Sequence, residues 1–166
     1  SMPTSPSCRF SWPTYNGTDF SRLSNWDEWL GFFEYPQAAD GFVGVYDHTS
    51  GAGVVRVFPQ QVARGSKAFS FGWLHPLPWD MWTDTPSGPV ELHGGVMPTF
   101  WDTATLDAGA SLSWSEVWYP IRSTGGISNA TEEGVLHAAG NSTGLTIDIG
   151  VTTARAAGTT RLVAWD

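Results

Sequence analysis

Residues Lys67–Trp73 read KAFSFGW. Ala68, Ser70 and Gly72 alternate there with Phe69, Phe71 and Trp73, and a period of two marks a strand whose faces meet different surroundings. The same period runs through Ala110–Tyr119 (ASLSWSEVWY), the longest such stretch, where Leu112, Trp114, Glu116 and Trp118 face one way. Glu28–Tyr35 (EWLGFFEY) is strand-like and stops at Pro36. Gly41–Tyr46 (GFVGVY) and Gly53–Phe58 (GVVRVF) flank a hairpin-type loop at Asp47–Gly51. In the second of these, Val54, Arg56 and Phe58 share a face. Gly88–Gly95, Thr143–Val151 (TGLTIDIGV) and Thr160–Trp165 (TRLVAW) bring the count to about eight strands. Only Ile127–Ala139 offers a helical turn. Short turns, two long loops and no βαβ rhythm predict an all-β, antiparallel β-sandwich with little helix.

The bulk composition agrees with that class. The 166 residues fit one domain, and a hydrophobic share of 41% builds a core without staples. Charged residues make up 14%, below the roughly 25% of an average soluble chain. Ser, Thr, Asn and Gly carry the polar load instead, which suits strands and turns. Sixteen acidic against eight basic residues give a net charge of −8. With no run of Lys or Arg, this excludes nucleic acid and anionic membranes as partners. The apolar stretches are strand-sized, and no charged region followed by an apolar one opens the sequence, so neither a membrane span nor a signal peptide is read; the compartment stays open. Ser1-Met2 reads as a cloning remnant and residues 1–10 as a disordered or tag-derived tail, leaving 11–166 as a single sandwich domain. Cys8 has no partner for a disulfide. His48, His75, His93 and His137 are scattered, so no metal and no cofactor is expected. Asn16, Asn129 and Asn141 begin N-x-S/T sequons, frequent by chance in such a composition.

The stretch from His75 to Pro89 holds Pro76, Pro78, Pro86 and Pro89 with Trp79, Met81 and Trp82 among them, so it forms a loop rather than a central strand. A second loop, Met97–Ala108, carries Phe100 and Trp101. The chain has ten Trp. Inside strands, as at Trp114 and Trp118, the expected place is the core. Trp79, Trp82 and Trp101 sit instead in loops among Pro, Asp and Thr, where indole faces can stack on the C–H faces of a sugar while Asp80 and its neighbours take the hydroxyls. Asp84, Asp102 and Glu116 lie in the same aromatic-rich middle, where turn or cap roles are the plain expectation. Glu91 sits in Val90-Glu91-Leu92-His93 and shares a face with His93. The two read either as an acid–base pair or as a buried hydrogen-bonded pair, with Arg56 as another partner for Glu91. No G-x-S-x-G is present, and no second carboxylate motif argues for glycoside hydrolysis.

Residues 90–99 (VELHGGVMPT), 106–110 (LDAGA) and 114–120 (WSEVWYP), with the earlier Gly53–Phe58, resemble the late strands of the galactose-mutarotase-like supersandwich. They are most like an uncharacterised bacterial branch often joined to tetratricopeptide repeats, over roughly residues 20–150. The resemblance implies a supersandwich-like half and places Glu91 at the general-base position of the aldose epimerases. No motif matches their general-acid histidine, and the complete fold is longer. Binding is therefore expected ahead of turnover. The leading expectation is a carbohydrate-binding β-sandwich accessory to a glycan-active protein, with Arg56, His75, Trp79, Asp80, Trp82, Glu91, His93 and Trp101 at the ligand and other domains of a longer parent chain as partners. The alternatives are an aldose-1-epimerase-type enzyme, with Glu91 as base and His93 or His75 as acid, and a structural interdomain module.

Overall fold

Each strand in the computed structural model, which describes residues 9–84 and 88–152, pairs antiparallel with its neighbours. Strands dominate, and the helical content among the described residues is two 3-10 turns, Leu23–Asn25 and Trp79–Met81. The all-β expectation holds. No helix among the described residues is long and apolar enough to cross a membrane. The chain gathers into two compact units, each made of two stretches. Unit 1 joins the residues up to Ala39 with Gln60–Ala110; unit 2 joins Asp40–Pro59 with the residues from Ser111 on.

Unit 1 contains β1 (Thr14–Tyr15), β2 (Thr18–Asp19), β3 (Trp29–Phe33), β6 (Lys67–Phe71) and β7 (Val90–His93). Asn16 and Gly17 link β1 to β2 with φ of 48° and 80°, the two positive-φ positions that a two-residue hairpin needs and that Asn-Gly supplies at least strain. β6 is the central strand of a sheet ordered β3-β6-β7. Its register sets two faces. One carries the rows Phe33–Lys67–His93 and Gly31–Phe69–Glu91, with Trp29 beside Phe71; the other carries Leu30–Ser70–Val90 and Phe32–Ala68–Leu92. Phe32 is the hub of a ring cluster on that second face, with Phe10, Trp12, Phe20 and Trp26 at centroid distances of 5.7, 5.5, 5.4 and 4.9 Å. Trp26 is buried, and its indole N–H donates to the Phe20 carbonyl at 3.0 Å, so its polar edge is satisfied.

Unit 2 contains β4 (Phe42–Asp47), β5 (Ala52–Val57), β8 (Val117–Arg122), β9 (Asn129–Thr131), β10 (Gly134–Asn141) and β11 (Gly144–Val151). The sheets β4-β5-β8 and β9-β10-β11 pack on each other in sandwich fashion. Val55, Tyr119 and Ile121 from the first meet Ala130 and Val135 from the second, with Phe42, Tyr46, Val57, Val117 and Ile127 around them. The Tyr119 hydroxyl donates to the Thr131 carbonyl at 2.9 Å, and burial raises its pKa. The β4–β5 loop is held by Asp47, whose carboxylate accepts the Thr49 and Ser50 N–H groups at 2.8 and 3.2 Å.

Two expectations are corrected. Residues 110–116 are not strand; β8 begins at Val117 and runs to Arg122. Its partner β5 pairs Val57 with Val117, and one step further the ladder would meet Phe58, then Pro59, which has no N–H to donate. Alternation without a partner strand leaves 110–116 unpaired. The helical turn expected in 127–139 is instead β9, a tight turn at Glu132–Glu133 and the start of β10. Leu136, Ala138 and Ala139 favour helix, but all eight residues of β10 pair with β11, and that ladder overrides local propensity. The expected strand Thr160–Trp165, the tail to Cys8 and Pro86 lie outside the described residues.

Candidate functional site

The first face of the unit 1 sheet is where four of the sequence-predicted residues, Trp82, Glu91, His93 and Trp101, gather. Glu91 and His93 project from edge strand β7 two residues apart, and a carboxylate oxygen of Glu91 lies 3.0 Å from His93 Nε2. Both side chains are open to solvent, at 45% and 39% exposure. The pair is therefore hydrogen-bonded but not buried, which corrects the burial expected from its apolar strand. β7 is short and at the edge, so its outward positions stay wet.

Rings surround this pair. Phe69, buried in the middle of the face, meets His93 edge-on at 5.4 Å, while Trp29 and Phe100 each stack with it at 6.0 and 5.7 Å, with planes 26° and 9° from its own. Phe33 joins Phe69, Phe100 and Trp101 at 5.7, 5.3 and 5.5 Å. At the other end Trp82 stacks on Phe71 at 4.3 Å. Trp82 and Trp101 thus belong to one sheet face, over strand positions four residues apart, roughly 13 Å along β3. Trp101 is 74% exposed and Phe100 60%. Gly31 permits the arrangement: a Cβ there would fall 2.1 Å from the Phe69 ring.

The loop displaying Phe100 and Trp101 is locked from within. Asp102 accepts the N–H and hydroxyl of Thr99 at 3.0 and 2.8 Å, while the Thr99 hydroxyl accepts the N–H groups of Trp101 and Asp102 at 3.1 and 3.2 Å. Buried Lys67 donates to the Met97 carbonyl at 3.0 Å and lies 5.5 Å from the Phe100 ring centre. Gly65 N–H bonds the Gly95 carbonyl across the loop base at 2.9 Å. A loop fixed this way presents its rings with little ordering left to do.

Other candidates fall elsewhere. Trp79 and Asp80 lie in the exposed 3-10 turn Trp79–Met81, which leads to Trp82. His75 is tied to Asp27, by side chain and by a 2.7 Å backbone bond, away from the Glu91–His93 pair in sequence and in partners. Arg56 belongs to unit 2 and is fully buried. Its guanidinium donates to Glu116 at 2.6 Å and lies over the Phe58 and Trp118 rings at 4.0 and 5.8 Å. Glu116 also accepts the indole N–H groups of Trp118 and Trp114 at 3.0 and 3.4 Å. The Arg56 hydrogen bond, with help from both indoles, holds the Glu116 pKa at about 2. Trp114 and Trp118, expected in the core, are 42% and 45% exposed. A recess of about 240 Å³ opens in unit 2 between Tyr119–Arg122 and Gly150–Val151, lined by none of the candidate residues. Among the described residues no group of three or more His, Cys, Asp or Glu gathers to hold a metal.

Sequence reasoning missed Trp29, Phe33, Phe69, Phe100 and Lys67 as parts of the face. The signal for Trp29, Phe33, Lys67 and Phe69 was present as period-two positions in two separate strands, but only the pairing of β3 with β6 brings them together, and Phe100 reaches them from its loop. Comparisons with protein-family models, with curated proteins and with solved structures find no match to this chain.

Proposed function

We propose that the chain is a carbohydrate-binding β-domain whose ligand lies across the aromatic face of unit 1. The observation that carries this reading is the run of exposed rings Trp82, Trp29, Phe100 and Trp101 on a stiff support, beside the solvent-open Glu91–His93 pair. Sugar rings offer apolar C–H faces for the aromatics and hydroxyls for the carboxylate and imidazole. The net charge of −8 favours a neutral ligand over an anionic one. The resemblance of residues 90–99 to sugar-handling supersandwich strands supports the same ligand class.

Binding is favoured over epimerase turnover by one distance. A general base and a general acid acting on one sugar ring must stand on opposite sides of it, whereas Glu91 and His93 are bonded to each other at 3.0 Å. The test is titration with neutral oligosaccharides by calorimetry. Trp101→Ala should weaken binding at least tenfold with little change in melting temperature, since the ring is largely exposed. Glu91→Gln should cost about 1–3 kcal/mol of affinity, the scale of a lost charge-assisted hydrogen bond. Unchanged affinity in both variants refutes the assignment.

A further inference from the structure

Unit 2 displays two exposed tryptophans of its own, Trp114 and Trp118, held by one carboxylate. Trp118 projects from β8 in the row Val43–Arg56–Trp118, opposite the core face that carries Tyr119 and Ile121. Trp114 precedes the strand. Both indoles donate their N–H to the same carboxylate, that of Glu116. Glu116 is itself clamped by a fully buried Arg56. One acid therefore fixes two rings by their polar edges, while the two residues stay 42% and 45% exposed; Arg56 lies over one face of Trp118, which leaves the other for a ligand.

We propose that Trp114 and Trp118 form a second saccharide site, in which two consecutive rings of a neutral glycan chain stack on the two indoles and Glu116 acts as the positioning residue. Three features select this occupant. The Arg56 and Glu116 charges compensate each other, so the site offers no net charge to an ionic ligand. The indole N–H groups are occupied, so recognition falls to the ring faces, which suit C–H surfaces. The segment that carries Trp114 is interrupted by the exposed Ser111, Ser113 and Ser115, where the sequence of a protein-docking patch would be continuously apolar. The depressed pKa of Glu116 keeps the clamp charged through the ordinary pH range. The site stands independently of the unit 1 face.

The experiment follows the indole N–H signals of Trp114 and Trp118 by nuclear magnetic resonance in the full chain carrying Trp101→Ala, which weakens the unit 1 face. Cellohexaose, mannohexaose and xylohexaose are the probes. At least one should move both signals saturably. Trp114→Ala should weaken the response read at Trp118 about tenfold. Glu116→Ala should weaken it more than Glu116→Gln, because the amide retains an oxygen that accepts one indole N–H. The remaining indole signals report whether each variant is folded; should Glu116→Ala unfold, Trp114→Ala and Glu116→Gln carry the test. If none of the three probes moves either signal, the proposal is wrong. If the signals instead shift with protein concentration alone, the pair is a contact between copies of the chain, and the proposal is equally overturned.

Discussion

Glu116 stands on the page of the sequence as one acid among sixteen, and its partner Arg56 lies sixty residues away. Spacing along the chain cannot announce such a pair; only the register of β5 against β8 sets Arg56 beside Trp118, two residues from Glu116. Glu91 and His93 are the opposite case, since two positions apart on a strand already means one face. What the sequence could not supply was their exposure, which depends on β7 being an edge. The Arg56–Glu116 pair also makes stability depend on pH. The folded-state pKa of Glu116, about 2, lies below its ordinary 4.5, so the unfolded chain binds the proton first as pH falls. The stabilisation is complete above pH 4.5 and disappears as pH drops toward 2. Urea midpoints measured between pH 6 and pH 2 should therefore fall across that window and fall less in Glu116→Gln. At neutral pH the variant should be less stable by about 3 kcal/mol, because it removes the Glu116 charge that faces the buried Arg56 at 2.6 Å. A midpoint that falls equally in both proteins would mean the pair contributes nothing.

At the scale of elements, the alternating stretches located the strands well wherever a partner existed. Lys67–Phe71 is central β6, and Gly53–Phe58 is β5 shifted by one residue. The failures share one physical origin. Residues 110–116 alternate as well as β6 does but meet Pro59 where a partner would have to continue, and 127–139 offers a helical turn until β11 is laid against the part of it that becomes β10. A strand is a property of two segments, and a single sequence displays one at a time. Gly31 makes the same point in the opposite sense. Nothing in EWLGFFEY marks its glycine as essential, yet the Phe69 ring occupies the space of its missing side chain. In Gly31→Ala the Phe69 ring must swing away, breaking its stacks with Trp29 and Phe100. The overpacking should cost about 1–3 kcal/mol. The near-ultraviolet circular dichroism of the aromatics should change while the far-ultraviolet strand signal persists; an unaltered near-ultraviolet spectrum would show that the face accommodates a methyl group.

For the whole molecule, chain order and spatial order disagree, and this has a consequence for how the protein can be divided. Unit 1 closes with Ala110, so everything that builds it precedes Ser111. Unit 2 draws β4 and β5 from Asp40–Pro59 and its remaining strands from beyond residue 110. β5 is the central strand of its sheet and carries Val55, a fully buried residue of the unit 2 core. A fragment starting at Ser111 keeps β8 without the strand it pairs with and β9–β11 without most of the surface they pack on. A three-stranded sheet that has lost the layer covering Ala130 and Val135 exposes its core face to water and has nothing to bury it against. The fragment 1–110 should therefore retain the dispersed indole signal of buried Trp26, whose ring cluster lies wholly within it. The fragment 111–166 should give the narrow amide spectrum of an unfolded chain. Mixing the two should restore β5 between β4 and β8 and bring back the dispersed signals of Tyr119 and Ile121. A 111–166 fragment that folds alone, with the same Tyr119 environment as in the intact chain, would show that the division between units is not the one that governs folding.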